Sequence, residues 1–179
     1  MIKKIVKIYD CKILKYNGQK INYQKLCGED IAMNVEPYLP PITKDLEYAK
    51  KYKWNGYLIR DKNNEICGIV IGYPKGKNNY NIEAVCSNSR FKKLGELLTY
   101  YSFLQNCRKT NIQNMIGIAS GGIPFFEEDD SSSKIDYKKN NLYKYHKKRG
   151  ATIQKSSGSF QYSYQIIKNN IEEIWKSYH

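Results

Sequence analysis

Val85-Cys86-Ser87-Asn88-Ser89-Arg90-Phe91-Lys92-Lys93-Leu94-Gly95-Glu96-Leu97-Leu98 joins a strand to a helix through a short polar turn, and the reading of that junction decides the fold. Upstream, Tyr80 to Cys86 alternates apolar and polar side chains as a half-buried strand does, with Ile82 and Ala84 facing away from Glu83 and Val85. Downstream, Leu94, Leu97, Leu98, Tyr101 and Leu104 follow the three-and-four spacing of one buried helix face, in a helix running from Leu94 to Lys109 with Gly95 in its first turn. Arg90, Lys92 and Lys93 lie between. Such a junction aims unpaired backbone N–H groups and the positive end of the helix dipole at one point, which suits a diphosphate. The bland alternative is a solvated loop edge, because Ser-Asn-Ser is ordinary loop composition and three cations before a helix are common.

The same residues resemble the acetyl-CoA signature of the GNAT family of N-acetyltransferases, which is Arg or Gln, two residues, Gly, one residue, Gly or Ala. Arg90 and Gly95 occupy its ends, and Lys93 stands in place of the first glycine. Val85 lies five residues before Arg90 and Leu98 three after Gly95, as in the family. The family closes on a helix ending in aromatic, Tyr, three residues, Gly, aromatic. Tyr145-His146-Lys147-Lys148-Arg149-Gly150-Ala151 is similar, with His146 in the place of the tyrosine, Tyr145 one residue earlier, and Thr152-Ile153 continuing as strand. The resemblance covers residues 55 to 166 in motif order, and the first fifty residues in outline. It implies a single domain over 1–179 of α+β class. Its sheet would be mixed, mostly antiparallel and twisted, with about six to seven strands flanked by helices. Acetyl-CoA would sit in the splay between the fourth and fifth strands.

Composition bounds the partners. A net charge of +13 favours anions: nucleic acid, an anionic membrane surface, a phosphorylated substrate or CoA itself. A lysine-rich bias on solvated faces explains the same number. Cys11, Cys27, Cys67, Cys86 and Cys107 are scattered without a Cys-x-x-Cys pair, which reads as reduced thiols in a cytoplasmic compartment and argues against a disulfide framework. With His146 and His179 the only histidines, no metal site is expected. The apolar run at the N-terminus breaks at Lys7, so neither a signal-peptide core nor a membrane span is expected and the protein reads as soluble.

In chain order, Met1 to Leu14 reads as a first strand, with Ile2, Val6 and Ile8 among lysines, and Asn17-Gly18 as a turn. Asn22 to Asn34 and Thr43 to Trp54 read as helices separated by Glu36-Pro37-Tyr38-Leu39-Pro40-Pro41, with Thr43 as N-cap. Tyr57 to Arg60 and Ile66 to Tyr73 form a hairpin across Asp61 to Glu65, and Pro74 to Asn79 turns the chain into the Tyr80 strand. Asn114 to Ala119 is a buried strand. The acidic insertion over 121–138 carries Glu127, Glu128, Asp129 and Asp130; it reads as a solvated loop or as an attractor for a cationic amine. Asn140 to Arg149 is a helix, and Ala151 to Gln154 pairs through Ser156-Ser157-Gly158 with a strand from Phe160 to Ile166, where Phe160, Tyr162, Tyr164 and Ile166 share a face. Ile171, Ile174, Trp175 and Tyr178 repeat at helical spacing, so a C-terminal amphipathic helix over 168–178 docks on the body or on a second copy in a homodimer.

Acetyl transfer to an amine needs the amine neutral, the thioester oxygen held and the departing sulfur protonated. By the resemblance, Glu83 accepts the amine proton, directly or through water, and the backbone of Glu83, Ala84 and Val85 holds the carbonyl. Arg90, Phe91, Lys92, Lys93, Leu94, Gly95 and Glu96 hold the diphosphate, with Asn140 completing the cofactor set. His146, whose imidazolium has an ordinary pKa near about 6.5, or Tyr145 protonates the sulfur. Tyr38, with Glu127 and Glu128, lines the acceptor side. Each has a bland counterpart: a solvent-facing strand carboxylate for Glu83, a surface helix residue for His146, a loop anchor for Tyr38. The expected function is therefore an acetyl-CoA-dependent N-acetyltransferase acting on a small-molecule or protein amine in a ternary complex. The alternatives are a catalytically inactive acyl-CoA-binding or regulatory protein of this fold and a basic nucleic-acid-binding protein. Thiol release with a panel of amines separates the first from the second, and salt-dependent polynucleotide binding marks the third.

Overall fold

The structure, a computed structural model, describes residues 1–19, 21–29, 32–33, 55–88, 93–118, 141–154 and 159–178. Seven strands make one sheet in the order β1-β2-β3-β4-β5-β7-β6. They are β1 (Lys12–Lys15), β2 (Asn55–Arg60), β3 (Ile66–Lys75), β4 (Asn79–Ser87), β5 (Asn114–Ile118), β6 (Thr152–Gln154) and β7 (Ser159–Ser163). All neighbours pair antiparallel except β4 with β5, which are parallel. The helices are α1 (Ile2–Ile8), α2 (Tyr23–Cys27), α3 (Leu94–Cys107), α4 (Asn141–Lys148) and α5 (Tyr164–Lys176). One face of the sheet packs with α1, α3 and α5 into the larger core; the other packs with α2 into a smaller one. No helix among the described residues is long and apolar enough to cross a membrane.

The β2–β3 hairpin follows its sequence signals. Asp61 Oδ1 accepts the backbone N–H groups of Asn63 and Glu65, each at 2.9 Å, and Asn64 takes the left-handed turn conformation at φ 65°. In α3 the expected face is buried at Leu94, Leu97 and Leu98, and it extends to Tyr100 and Phe103.

Three expectations about elements are corrected. Met1 to Leu14 is not one strand: Ile2, Ile5 and Val6 are buried on one face of a helix, the lysines point outward, and the strand begins only at Lys12. That helix forms because a partner exists for its face: Ile2, Ile5 and Val6 join one core with residues of α3 and α5. The strand expected to run from Phe160 to Ile166 stops at Ser163, whose side chain caps α5 by accepting from Ile166 N, so Tyr164 and Ile166 are helical. The helix expected over Asn22 to Asn34 starts on the Asn22 cap, where Oδ1 accepts Lys25 N at 2.9 Å, and ends at Gly28, whose φ of 84° no helix continues through. The Thr43 to Trp54 helix and the acidic insertion lie outside the described residues.

The cysteine expectation is also overturned. Cys27, at the end of α2, is joined by a disulfide to Cys86 on β4, 59 residues away. No sequence spacing marks this pair; docking α2 against β4 puts the two side chains in one core. Cys11, Cys67 and Cys107 are free, and burial pushes the Cys67 and Cys107 thiols each up to about 11, so both stay protonated at neutral pH. Because the bond closes a long loop of the unfolded chain, Cys27→Ser should lower stability by about 2–4 kcal/mol. Urea denaturation with and without reductant checks this: the wild type should lose the same increment on reduction and the variant none.

Candidate functional site

β4 and β5 share a ladder only over Asn79–Asn81 and Asn114–Ile116. Beyond Asn81, β4 continues to Ser87 against β3, and β5 continues to Ile118 against β7, so the sheet opens between them. The cause sits at Glu83. β3 pairs Gly72 with Ile82 and Ile71 with Ala84, leaving Glu83 as an extra residue in β4. Such a bulge bends its strand and increases its twist. It also breaks the alternation. Ile82 joins the core beneath α3 and Ala84 the core beneath α2, so the expectation that the two share a face is wrong by one inserted residue. Gly72 permits this arrangement: a Cβ there would sit 2.6 Å from the Asn81 carbonyl oxygen and 2.7 Å from the Tyr80 ring.

The Glu83 carboxylate is held in place. Asn81 Nδ2 donates to its Oε2 at 2.9 Å, and Tyr73, paired with Asn81 across β3 and β4, brings its hydroxyl close to the same side chain. Burial and then the Glu83 charge push the Tyr73 hydroxyl above its ordinary value, so it remains a donor. Asn81 is itself buried. Neither residue stood out in the sequence, although Asn81, two residues before Glu83, falls on the same side of an extended strand. Beyond Glu83, Ala84 is buried while Val85 is 37% exposed.

The start of α3 completes the opening. Lys93 is its N-cap and adopts φ 68°, a left-handed conformation that costs a non-glycine residue about 1–2 kcal/mol. The lysine thus follows the backbone path that a glycine would take. The first helical bond runs from Leu97 N to Lys93 O, which leaves the N–H groups of Leu94, Gly95 and Glu96 without intrahelical acceptors. A Cβ on Gly95 would lie 2.8 Å from Ser87 Oγ, so the glycine lets the first turn of α3 close onto the end of β4. A helix start with three N–H groups lacking intrahelical acceptors and a glycine in its first turn, beside an opening edged by strand backbone, fits a diphosphate and the arm it carries. Arg90, Phe91, Lys92, Asn140, Tyr38, Glu127 and Glu128 lie outside the described residues.

Between α3 and α4 lies a network of buried polar groups. The Glu96 side chain, 6% exposed, accepts from Arg149 Nε at 3.0 Å, Arg149 Nη2 at 3.1 Å and the Tyr100 hydroxyl at 3.0 Å. Tyr145, 37% exposed, lies beside this group with its hydroxyl near the Glu96 charge. Asn170 of α5 ties the set together by donating to Tyr100 Oη and to the Arg149 carbonyl. Burial and then the Glu96 charge push the Tyr145 hydroxyl far above the ordinary tyrosine range. The α4 terminus that presents Arg149 is locked at Gly150, φ 82°, where Gly150 N donates to Lys147 O and Ala151 N to His146 O.

His146 sits elsewhere in the same helix. Its ring stacks on Phe160 at 3.8 Å, over the space that Gly117 leaves bare, and its Nδ1 meets the Tyr162 hydroxyl at 2.8 Å. Burial lowers its pKa to about 4, so at neutral pH the ring is uncharged and is no imidazolium. The structure therefore brings Tyr145, Glu96 and Arg149 together, and places His146 against β7.

No protein-family profile matches the chain, and no curated protein matches it in sequence. Solved structures match its fold. A mutant AtaT toxin bound to the C-terminus of the antitoxin AtaR and acetyl-CoA aligns with a TM-score of 0.55 at 11% identity, over 90% of this chain and 98% of that one. Ard1 from Thermoplasma volcanium aligns at 0.53 and 14% identity, over 85% and 95%. The KacTA–DNA complex aligns at 0.52 and 11% identity, over 91% and 99%. At these identities the likeness shows the fold, a mostly antiparallel mixed sheet flanked by helices as in GNAT acetyltransferases.

Proposed function

We propose that this chain, carrying the fold of GNAT acetyltransferases, moves an acetyl group from acetyl-CoA to a primary amine. The observation that carries the proposal is the opening between β4 and β5 at the Glu83 bulge, with the start of α3 beside it. Two supports come from outside that geometry: the signature-like residues around Arg90, and the similarly folded AtaT structure, which has acetyl-CoA bound. Acetyl-CoA, when bound, supplies an acetyl group activated as a thioester.

The residues then divide the work. Glu83 accepts the amine proton, and Asn81 and Tyr73 fix the carboxylate that does so. Backbone N–H groups of Glu83, Ala84 and Val85 hold the carbonyl oxygen. The amides of Lys93 to Glu96, with Arg90, Phe91 and Lys92 before them in the chain and with Asn140, take the diphosphate. Tyr145 is the candidate favoured to protonate the departing sulfur, because it sits with Glu96 and Arg149 beside the first turn of α3, whereas the uncharged His146 ring is stacked on Phe160 against β7. Tyr38, Glu127 and Glu128 remain the acceptor-side residues of this reading.

Calorimetry with acetyl-CoA and thiol release across a panel of amines test the proposal. Uptake with release supports it, uptake without release in any amine favours a non-catalytic binding protein, and no uptake removes it. Tyr145→Phe should lower kcat by about tenfold or more with little change in cofactor affinity, and His146→Gln should do neither. The reverse pattern would return the acid role to His146.

A further inference from the structure

The end of the sheet opposite the β4–α3 junction is a cluster of cations. β3 ends there at Lys75, the turn to β4 adds Lys77, α3 runs out at Arg108 and Lys109, α5 starts there with Lys168 in its second turn, and β1 runs toward it, ending at Lys15 level with Tyr57, Val70 and Val85. The pieces are knit into one surface. Lys15 Nζ donates to Asn55 Oδ1 at 2.8 Å, and Asn55 donates to Asn106 Oδ1 at 2.9 Å. Gln113 N donates to Asn78 O at 2.8 Å, and Tyr164 N to Gln113 O at 2.9 Å.

No ion pair among the described residues involves these cations. The described carboxylates lie elsewhere: Asp10 after α1, Glu29 after α2, Asp61 and Glu65 in the β2–β3 turn, Glu83 and Glu96 at the opening, Glu172 and Glu173 further along α5. Lys15 and Lys109 are close enough that each repels the other's charge; burial and then that repulsion lower the pKa of Lys15. Among the described residues these like charges have no counter-charge beside them; gathering them costs stability, and a bound polyanion removes the cost.

We propose that this end of the molecule is a docking surface for the phosphodiester backbone of a nucleic acid. Cations spread over four element ends match a row of phosphates better than one compact anion. The exposed amides of Asn78, Asn111 and Gln113 supply hydrogen-bonding groups for phosphate and sugar oxygens. Tyr164, 42% exposed with Lys168 Nζ 5.8 Å from its ring centroid, offers a stacking face. An anionic membrane would call for an aliphatic fringe in place of those amides. The surface is separated from the β4–α3 junction by the length of β4, eight steps of about 3.3 Å. The proposal therefore stands apart from the acetyl-transfer reading, and its test reads binding alone.

Fluorescence anisotropy with a labelled single-stranded RNA and a duplex DNA, titrated at rising salt, tests it. The wild type should bind both with a steep salt slope. A triple variant, Lys77→Gln with Arg108→Gln and Lys109→Gln, should bind about tenfold or more weakly, its log–log salt slope shallower by about 2–3. A matched triple on α1, Lys3→Gln with Lys4→Gln and Lys7→Gln, removes the same charge and should bind like wild type. Equal losses in both triples would mean diffuse charge and overturn the assignment. So would absence of binding at low salt, or binding only to vesicles of equimolar phosphatidylserine and phosphatidylcholine. Thermal melts of both variants confirm that each is folded.

Discussion

Glu83→Gln should lower turnover by about 10²- to 10⁴-fold while acetyl-CoA uptake stays within about twofold of wild type. The substitution keeps the side chain's size and leaves an amide oxygen to accept from Asn81, so the bulge and the opening survive; only the capacity to take a proton is lost. A carboxylate gripped by Asn81 Nδ2 at 2.9 Å, with the Tyr73 hydroxyl close by, is held in place, which is what a positioned base needs. Asn81→Ala should then reduce kcat by less than Glu83→Gln, because the base remains but is free to wander. Thiol release at saturating acceptor, with calorimetry alongside, checks both. A Glu83→Gln enzyme with kcat within a few-fold of wild type would show that solvent removes the proton and that Glu83 is a strand carboxylate with no part in the chemistry.

Arg149→Ala should cost about 3–5 kcal/mol of folding stability. The guanidinium is 19% exposed and the Glu96 side chain 6%, and the two bonds between them, at 3.0 and 3.1 Å, leave the carboxylate no route to water. Removing the cation strands a buried charge that Tyr100 and Tyr145 cannot neutralise. Adding Glu96→Gln to Arg149→Ala should recover a large part of the loss, since the orphaned charge goes with it. The second contact of Arg149, to Glu173 at 3.6 Å, is different: Glu173 is 69% exposed, and Glu173→Gln should change stability by about 0–1 kcal/mol. Urea midpoints at unchanged m-value distinguish these outcomes. Equal losses for Arg149→Ala and Glu173→Gln would mean that the ion pair at Glu96 carries no special energy.

The strand at Tyr80, the turn and the helix at Leu94 were legible because each is a local pattern, and so was the β2–β3 hairpin across Asp61. Gly95 and Gly150 were legible as motif positions, and both turn out to sit where backbone must approach closely or turn left-handed. Errors fell where a local pattern fits two structures. Ile2, Val6 and Ile8 among lysines suit a strand, yet Ile5 completes a helical face once residues of α3 and α5 are there to cover it. Tyr164 and Ile166 continue an alternation that the Ser163 cap cuts short. Glu96 looked like a backbone contributor in a helix's first turn; its side chain turns out to be the hub between α3 and α4, which only the approach of Arg149, 53 residues later, could reveal.

What the sequence by itself determined is the order of the elements from β2 to α5, because hydrophobic period, caps and turn residues act over a few neighbours and need no partner. What only the tertiary structure decided is the chemistry those elements enclose. One extra residue at Glu83 splays two strands and aims a carboxylate, the docking of α2 joins Cys27 to Cys86, and packing against Phe160 strips His146 of its charge. Each depends on distances between residues far apart in the chain, and burial and electrostatics follow those distances.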